Sequence, residues 1–219
     1  MMYTRLSTLK RLTLAQIAIG NAINDPVLCK KLEEEGYDKK RLHVGLSKVE
    51  RAQQLHSSQH VEYATRLSAT GELKQVHKAM RKAFVHDRNV ARMALEPMPG
   101  LNERLGLKGR VSNKREFFLH QMRHFYRQIQ ASEDVREAIE RYTLTPQVIT
   151  VRIEQVEAFA AAMKKQQVQS GEAQVATRRR REAMADLDNW MVQFLFVAKR
   201  VFKNEPKQLD KLWGRQNKS

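Results

Sequence analysis

The chain has 219 residues, 42% of them hydrophobic, which excludes general disorder and allows one large domain or two small ones. Its net charge is +16, from 18 basic and 11 acidic residues in 1–107 and 22 and 13 in 108–219, so the excess is not confined to a tail. A field of that sign attracts polyanions such as nucleic acid, anionic lipid or acidic protein. The single cysteine, Cys29, excludes an intramolecular disulfide and points to a reducing, cytoplasmic setting, and no apolar run reaches the length of a membrane span.

The first predicted element is an amphipathic helix over about 5–23, with Leu9, Leu12, Ile19 and Ile23 on its apolar stripe. Basic residues precede this apolar run, as in a leader. Thr13, Gln16 and Asn21 interrupt it, however, and no small-residue cleavage site follows. Asn24-Asp25-Pro26 then breaks and restarts the helix, with Asp25 as N-cap and Pro26 in the first helical position. A short helix ends at Gly36, and Asp38 caps the next. Residues 39–95 carry Leu42, Val49, Ala52, His56, Tyr63, Thr70, Leu73, Met80, Phe84 and Ala91 at helical spacing. An unbroken helix of that length would span roughly 85 Å, far more than the first helix covers. A break is therefore expected near Ser68–Gly71.

The second half repeats this order at an offset of 107 residues. Val49-Glu50 meets Val156-Glu157, Gln59 meets Gln166, Ala69-Thr70 meets Ala176-Thr177, and Val90-Ala91 meets Val197-Ala198. Leu42/Ile149, Leu46/Ile153, Met80/Leu187 and Leu95/Phe202 keep the apolar register. A helix is expected over 113–130. Ser132-Glu133-Asp134 stands at the restart, and Thr145-Pro146 at the cap of the second long segment, 146–202. A second break is expected near Ser170–Gly171. The predicted organisation is a first helical repeat (1–97), a linker (98–112), a second repeat (113–203) and a basic tail (204–219) with Trp213 as an anchor. The predicted fold class is all-α, an antiparallel helical bundle built from two tandem copies of one helical unit.

The pattern Gly36-Tyr37-Asp38-x-x-Arg41-Leu42-x-x-Gly45-Leu46, followed by Ala69-Thr70, resembles uncharacterised bacterial helical proteins with an internally duplicated bundle unit. The resemblance covers most of the chain. It rests on caps and core positions, and it implies a fold and no activity. The second half departs from it, with Arg141-Tyr142-Thr143 in place of the glycine turn.

Chemistry-bearing motifs are sparse. There is no phosphate-binding glycine loop, no Cys-x-x-Cys and no Gly-x-Ser-x-Gly, so neither an enzyme nor a cofactor is expected. His56/His60 and His120/His124 are i, i+4 pairs, the spacing at which two imidazoles on one helix hold a metal. Neither pair recurs in the other half. Gln59/Gln166 and Thr70/Thr177 are polar residues on the apolar track, placed to bond across the bundle. The remaining signal is Arg178–Arg181. Four successive helical residues sweep 300°, so they cannot share one solvated face. At the 107-residue offset they meet Gly71, Glu72, Leu73 and Lys74, so the helix itself does not demand them. Linker bases Lys108, Arg110, Lys114 and Arg115 form a second cluster. Three readings follow. The first is a non-enzymatic interaction or scaffold protein, self-associating through apolar seams. The second is a basic protein that binds nucleic acid through the arginine run and linker bases. The third is a metal-binding bundle built on the histidine pairs.

Overall fold

The computed structural model describes residues 3–214. They are predominantly helical, with no strand among the described residues. A short 3-10 turn, Tyr3–Arg5, precedes eight α-helices: α1 Thr8–Asn24, α2 Pro26–Glu33, α3 Lys39–Ala94, α4 Pro99–Arg104, α5 Arg115–Ala131, α6 Glu133–Glu140, α7 Pro146–Val201 and α8 Pro206–Leu212. Helices α1 and α5 have 17 residues each, α2 and α6 have 8, and α3 and α7 have 56. Every helix from α5 onward begins 107 residues after its counterpart in the first half. No described helix is long and apolar enough to cross a membrane.

The expected breaks near Ser68–Gly71 and Ser170–Gly171 do not occur; α3 and α7 run through both places. The breaks were expected because one short helix cannot cover so long a stripe. The cover comes from elsewhere in the chain. Phe84 of α3 packs its ring 5.6 Å from Phe118 and 5.5 Å from Phe125, both on α5. Phe194 of α7 packs 5.4 Å from Tyr37, ahead of α3. Burying one such side chain contributes about 1.5–3 kcal/mol, which outweighs the roughly 1 kcal/mol that a mid-helix glycine costs.

The chain forms two compact units that cut across its halves. One comprises the chain up to Tyr63 together with the chain from Glu172 onward; the other is Ala64–Gly171. Each takes half of α3 and half of α7.

In the first unit, α1 presents Leu12, Ala15, Ala18, Ile19 and Ala22 to the core, and Leu9 is 66% exposed rather than on the buried stripe. These meet Leu28 and Leu32 of α2, Leu42, Val49 and Ala52 of α3, and Leu187, Met191, Phe194 and Ala198 of α7. Asp25 caps α2 as expected, its Oδ1 accepting from the Val27 and Leu28 amides at 2.9 and 3.1 Å. Gly36 turns the chain at φ +81°, and the Tyr37 amide donates back to the Leu32 carbonyl at 2.9 Å. This is the bonding of a glycine-terminated helix. Asp38 Oδ1 then accepts from the Arg41 amide at 2.7 Å. The tail is a folded element: Leu212 of α8 is fully buried, Trp213 packs on the core, and Asn21 donates to the Lys211 carbonyl at 2.8 Å. Residues 215–219 of the predicted tail lie outside the described residues.

In the second unit, Phe118, Met122, Phe125, Tyr126 and Ile129 of α5 close on Met80, Phe84 and Ala91 of α3 and on Ile149, Val156 and Phe159 of α7. Part of the predicted linker is helical (α4). The rest is strapped down by three arginines of α3. Arg81 donates to the Ser112 carbonyl at 2.8 Å, Arg88 to Gly106 at 3.0 Å and Arg92 to Leu107 at 2.5 Å.

Gly45 is buried beneath Trp190, whose ring occupies the space where a Cβ would stand. Gly45→Ala is therefore expected to lower unfolding stability by about 1–3 kcal/mol through overpacking. Gly71→Ala and Gly171→Ala meet nothing within 4 Å and should instead raise it by up to about 1 kcal/mol. Urea denaturation of the three variants reads both signs.

Candidate functional site

The arginine run lies within α7, in the first unit. Arg178, Arg179 and Arg181 are exposed and Arg180 is half-buried, as its place near the apolar stripe requires. None of the four makes a hydrogen bond or ion pair with a described residue. Of the carboxylates that follow the run on α7, Asp186 pairs with Lys48 at 2.5 Å and Asp188 with Arg11, while Glu182 is exposed and pairs with no described residue. The run is thus a stretch of exposed positive charge that the fold leaves uncompensated.

Beside it stand His56 and His60 of α3, with ring centroids 4.7 Å apart. Burial holds the His56 pKa below its ordinary value of 6.5, and the adjacent His60 and Arg180 lower it further. His56 Nδ1 and Arg180 Nε are both buried without a hydrogen-bond partner. One turn along, Gln59 Nε2 donates to Thr177 Oγ1 at 3.2 Å, the cross-helix bond expected of these seam residues. Thr70, by contrast, is exposed and bonds only the Arg66 carbonyl of its own helix.

The second histidine pair is differently placed. His124 Nε2 contacts the Arg104 carbonyl at 2.9 Å, and His120 is exposed. Among the described residues no group of three or more His, Cys, Asp or Glu side chains is arranged to hold a metal ion. His56/His60 lies in the first unit and His120/His124 in the second, so no four-histidine site forms within either.

The linker bases have mixed fates. Lys108 pairs with Glu103, Lys114 lies 5.8 Å from the Phe117 ring, Arg110 is exposed and Arg115 half-buried. The groove beside them, about 560 Å³, is lined by Arg92, Glu96, Asn102, Glu103 and Lys108, so its charge is mixed. Cys29 is buried.

The most buried polar constellation escaped the sequence reading. Asp87 is fully buried in the second unit; its Oδ2 accepts from Tyr126 Oη at 2.8 Å and Arg152 Nε at 2.7 Å. Burial pushes the Tyr126 hydroxyl far above its usual pKa, and the Asp87 charge adds to this. The signal was available: Asp87 stands between Phe84 and Ala91 at core spacing, where the 107-residue offset places Phe194. Also missed was His77, which stacks on Phe159 at 5.6 Å and meets Phe118 edge-on at 5.2 Å. Burial lowers its pKa, and Arg115 and Arg81 lower it further.

Comparison of the chain with protein-family models, curated proteins and solved structures returns no match.

Two predictions follow from these groups. Asp87→Ala strands the Arg152 guanidinium and the Tyr126 hydroxyl, and is expected to cost about 3–5 kcal/mol in chemical denaturation. His56 and His77 have folded-state pKa values below the ordinary 6.5, so the unfolded chain takes up their protons first as pH falls. The stability they carry is complete above the unfolded-state value and is lost as pH drops through the folded one. The denaturation midpoint of His77→Met should thus decline less than that of wild type between pH 7 and pH 5.

Proposed function

We propose that this chain is a non-enzymatic helical interaction protein whose partner is nucleic acid, bound through the exposed arginines of α7. One observation carries the reading: Arg178, Arg179 and Arg181 are exposed on a continuous helix with no acidic partner. The fold consumes other arginines, such as Arg81, Arg88 and Arg92, in tying down its own carbonyls. These three it leaves free. A phosphate backbone meets such a row with salt-sensitive affinity. Arg110, Lys114 and Arg115 are secondary contributors in this reading; Lys108, already ion-paired with Glu103, contributes least.

The architecture proposed with this function is an antiparallel bundle of two tandem copies, 1–97 and 113–203. The equal helix lengths at a constant offset support the duplication. In the first unit Lys48 pairs with Asp186 and Gln59 with Thr177; in the second, Glu72 pairs with Lys165 and Asp87 with Arg152. Residue numbers fall along α7 as they rise along α3, which supports an antiparallel seam. Apolar residues of that seam are consumed inside the units, so self-association through them is not part of the proposal. The reducing, cytoplasmic setting read from the lone, buried Cys29 is retained in it.

The test is the affinity of the full chain for short duplex DNA and RNA as a function of salt. Wild type is expected to lose affinity steeply. A variant with Arg178→Gln, Arg179→Gln and Arg181→Gln should bind more weakly with a log–log slope shallower by about 2–3, at roughly 0.9 per phosphate contact. A flat salt response in wild type, or an unchanged slope in the variant, refutes the reading.

A further inference from the structure

We propose that His56, His60 and Arg180 form a binding site for one phosphate group between α3 and α7 in the first unit. The inference rests on the nucleic-acid reading for the source of that phosphate, a backbone phosphodiester, but not for the site itself.

The fold places two basic side chains against each other at this point. Gln59 and Thr177 fix the register of the two helices at 3.2 Å. One turn back along α3 is His56, and one turn on along α7 is Arg180. No carboxylate joins them: Asp186 and Asp188 are paired with Lys48 and Arg11, and neither His56 nor Arg180 has an acidic partner. The consequence is a cluster with no counter-charge inside the protein. Arg180 Nε and His56 Nδ1 are buried and unpaired, and His56 shares its edge with the exposed ring of His60. Nothing inside the protein neutralises this cluster, so its accessible side suits a ligand rich in acceptors. The outer guanidinium nitrogens of Arg180 and Nε2 of His56 make no bond inside the protein and are not among its buried unpaired atoms. They are the groups that reach an incoming anion. A tetrahedral phosphate oxygen set matches a guanidinium fork flanked by imidazoles.

The other half of the chain shows that the fold does not require these residues. At the 107-residue offset His56 meets Met163 and Arg180 meets Leu73. Leu73 is buried in the apolar core of the second unit, and Met163 packs against that core. The same place in the bundle is thus filled by hydrocarbon in one unit and by two basic groups in the other. Replacing hydrocarbon with unpaired basic groups lowers stability unless a ligand uses them.

The decisive variant is His56→Met with Arg180→Leu, which installs the apolar pair that the second unit already packs. It should fold at least as stably as wild type. In the histidine ring nitrogen spectrum of wild type, titration with inorganic phosphate is expected to move the His56 and His60 signals saturably and leave His43 and His86 in place. Against short duplex DNA, the double variant should bind several-fold more weakly, with a log–log salt slope shallower by about one phosphate contact. Should the double variant fail to fold, Arg180→Gln gives the same readings. Absence of a ring response to both phosphate and DNA overturns the site, as does an unchanged DNA slope in the variant. DNA binding that is lost with Arg178, Arg179 and Arg181 but indifferent to His56 and Arg180 removes the site and leaves the nucleic-acid reading standing. A ring response to phosphate without any DNA binding does the reverse.

Discussion

A helix of 56 residues has more apolar stripe than a helix of 17 can cover, and this mismatch governs the whole molecule. The first half of α3 is covered by α1 and α2, and the first half of α7 by α5 and α6. The far half of each long helix needs a second source of cover, and each compact unit therefore takes part of both long helices. Phe84 against α5 and Phe194 against Tyr37 are the direct expressions of this requirement. The same requirement keeps the long helices unbroken at Gly71 and Gly171, because burial on either side outweighs the local cost of a glycine.

The two units meet this constraint with different chemistry. In the first, Trp190 stacks on Phe194 at 5.2 Å over the bare backbone of Gly45, and Ile19 completes an apolar layer. At the 107-residue offset the second unit has Ala83, Asp87, Arg152 and Tyr126, and three of these form a hydrogen-bonded network. A buried ion pair of this kind gives little net stability over a packed apolar layer. It does make the layers non-interchangeable. An arginine in place of Gly45 would run into Trp190, and Asp87 opposite a glycine would be a buried charge without a partner. Within each unit the part of α3 is thereby matched to its own part of α7, a useful discrimination in a chain whose two halves carry helices of equal length.

The positive charge divides along the same physical line. Arg11, Arg81, Arg88, Arg92 and Arg152 are spent within the fold, on a carboxylate or on carbonyls that would otherwise lie unpaired near the core. Arg178, Arg179 and Arg181 serve no such purpose, and Arg180 stands half-buried where hydrocarbon would do. Net charge alone does not distinguish these two populations. Partner atoms do.

Much of the fold was legible in the residues. The caps at Asp25, Asp38 and Thr145 and the glycine turn at Gly36 act through bonds to neighbours a few positions away, so their signals are local. The apolar spacing of Leu42, Val49 and Ala52 announces a buried helix face for the same reason. Leu9 was misread because a stripe predicts burial only where something packs against it. The histidine pairs and the arginine run were visible as residues, but their neighbours were not. What the sequence by itself determined was the order and capping of the main helices and the 107-residue register between halves, since these depend on contacts within a turn or two; the continuity of α3 and α7 it did not determine. What only the tertiary structure decided was which half of which long helix shares a core, which arginines find acceptors, and that His56 faces Arg180. Those outcomes depend on residues more than a hundred positions apart, and nothing in the local pattern of a helix specifies its distant partner.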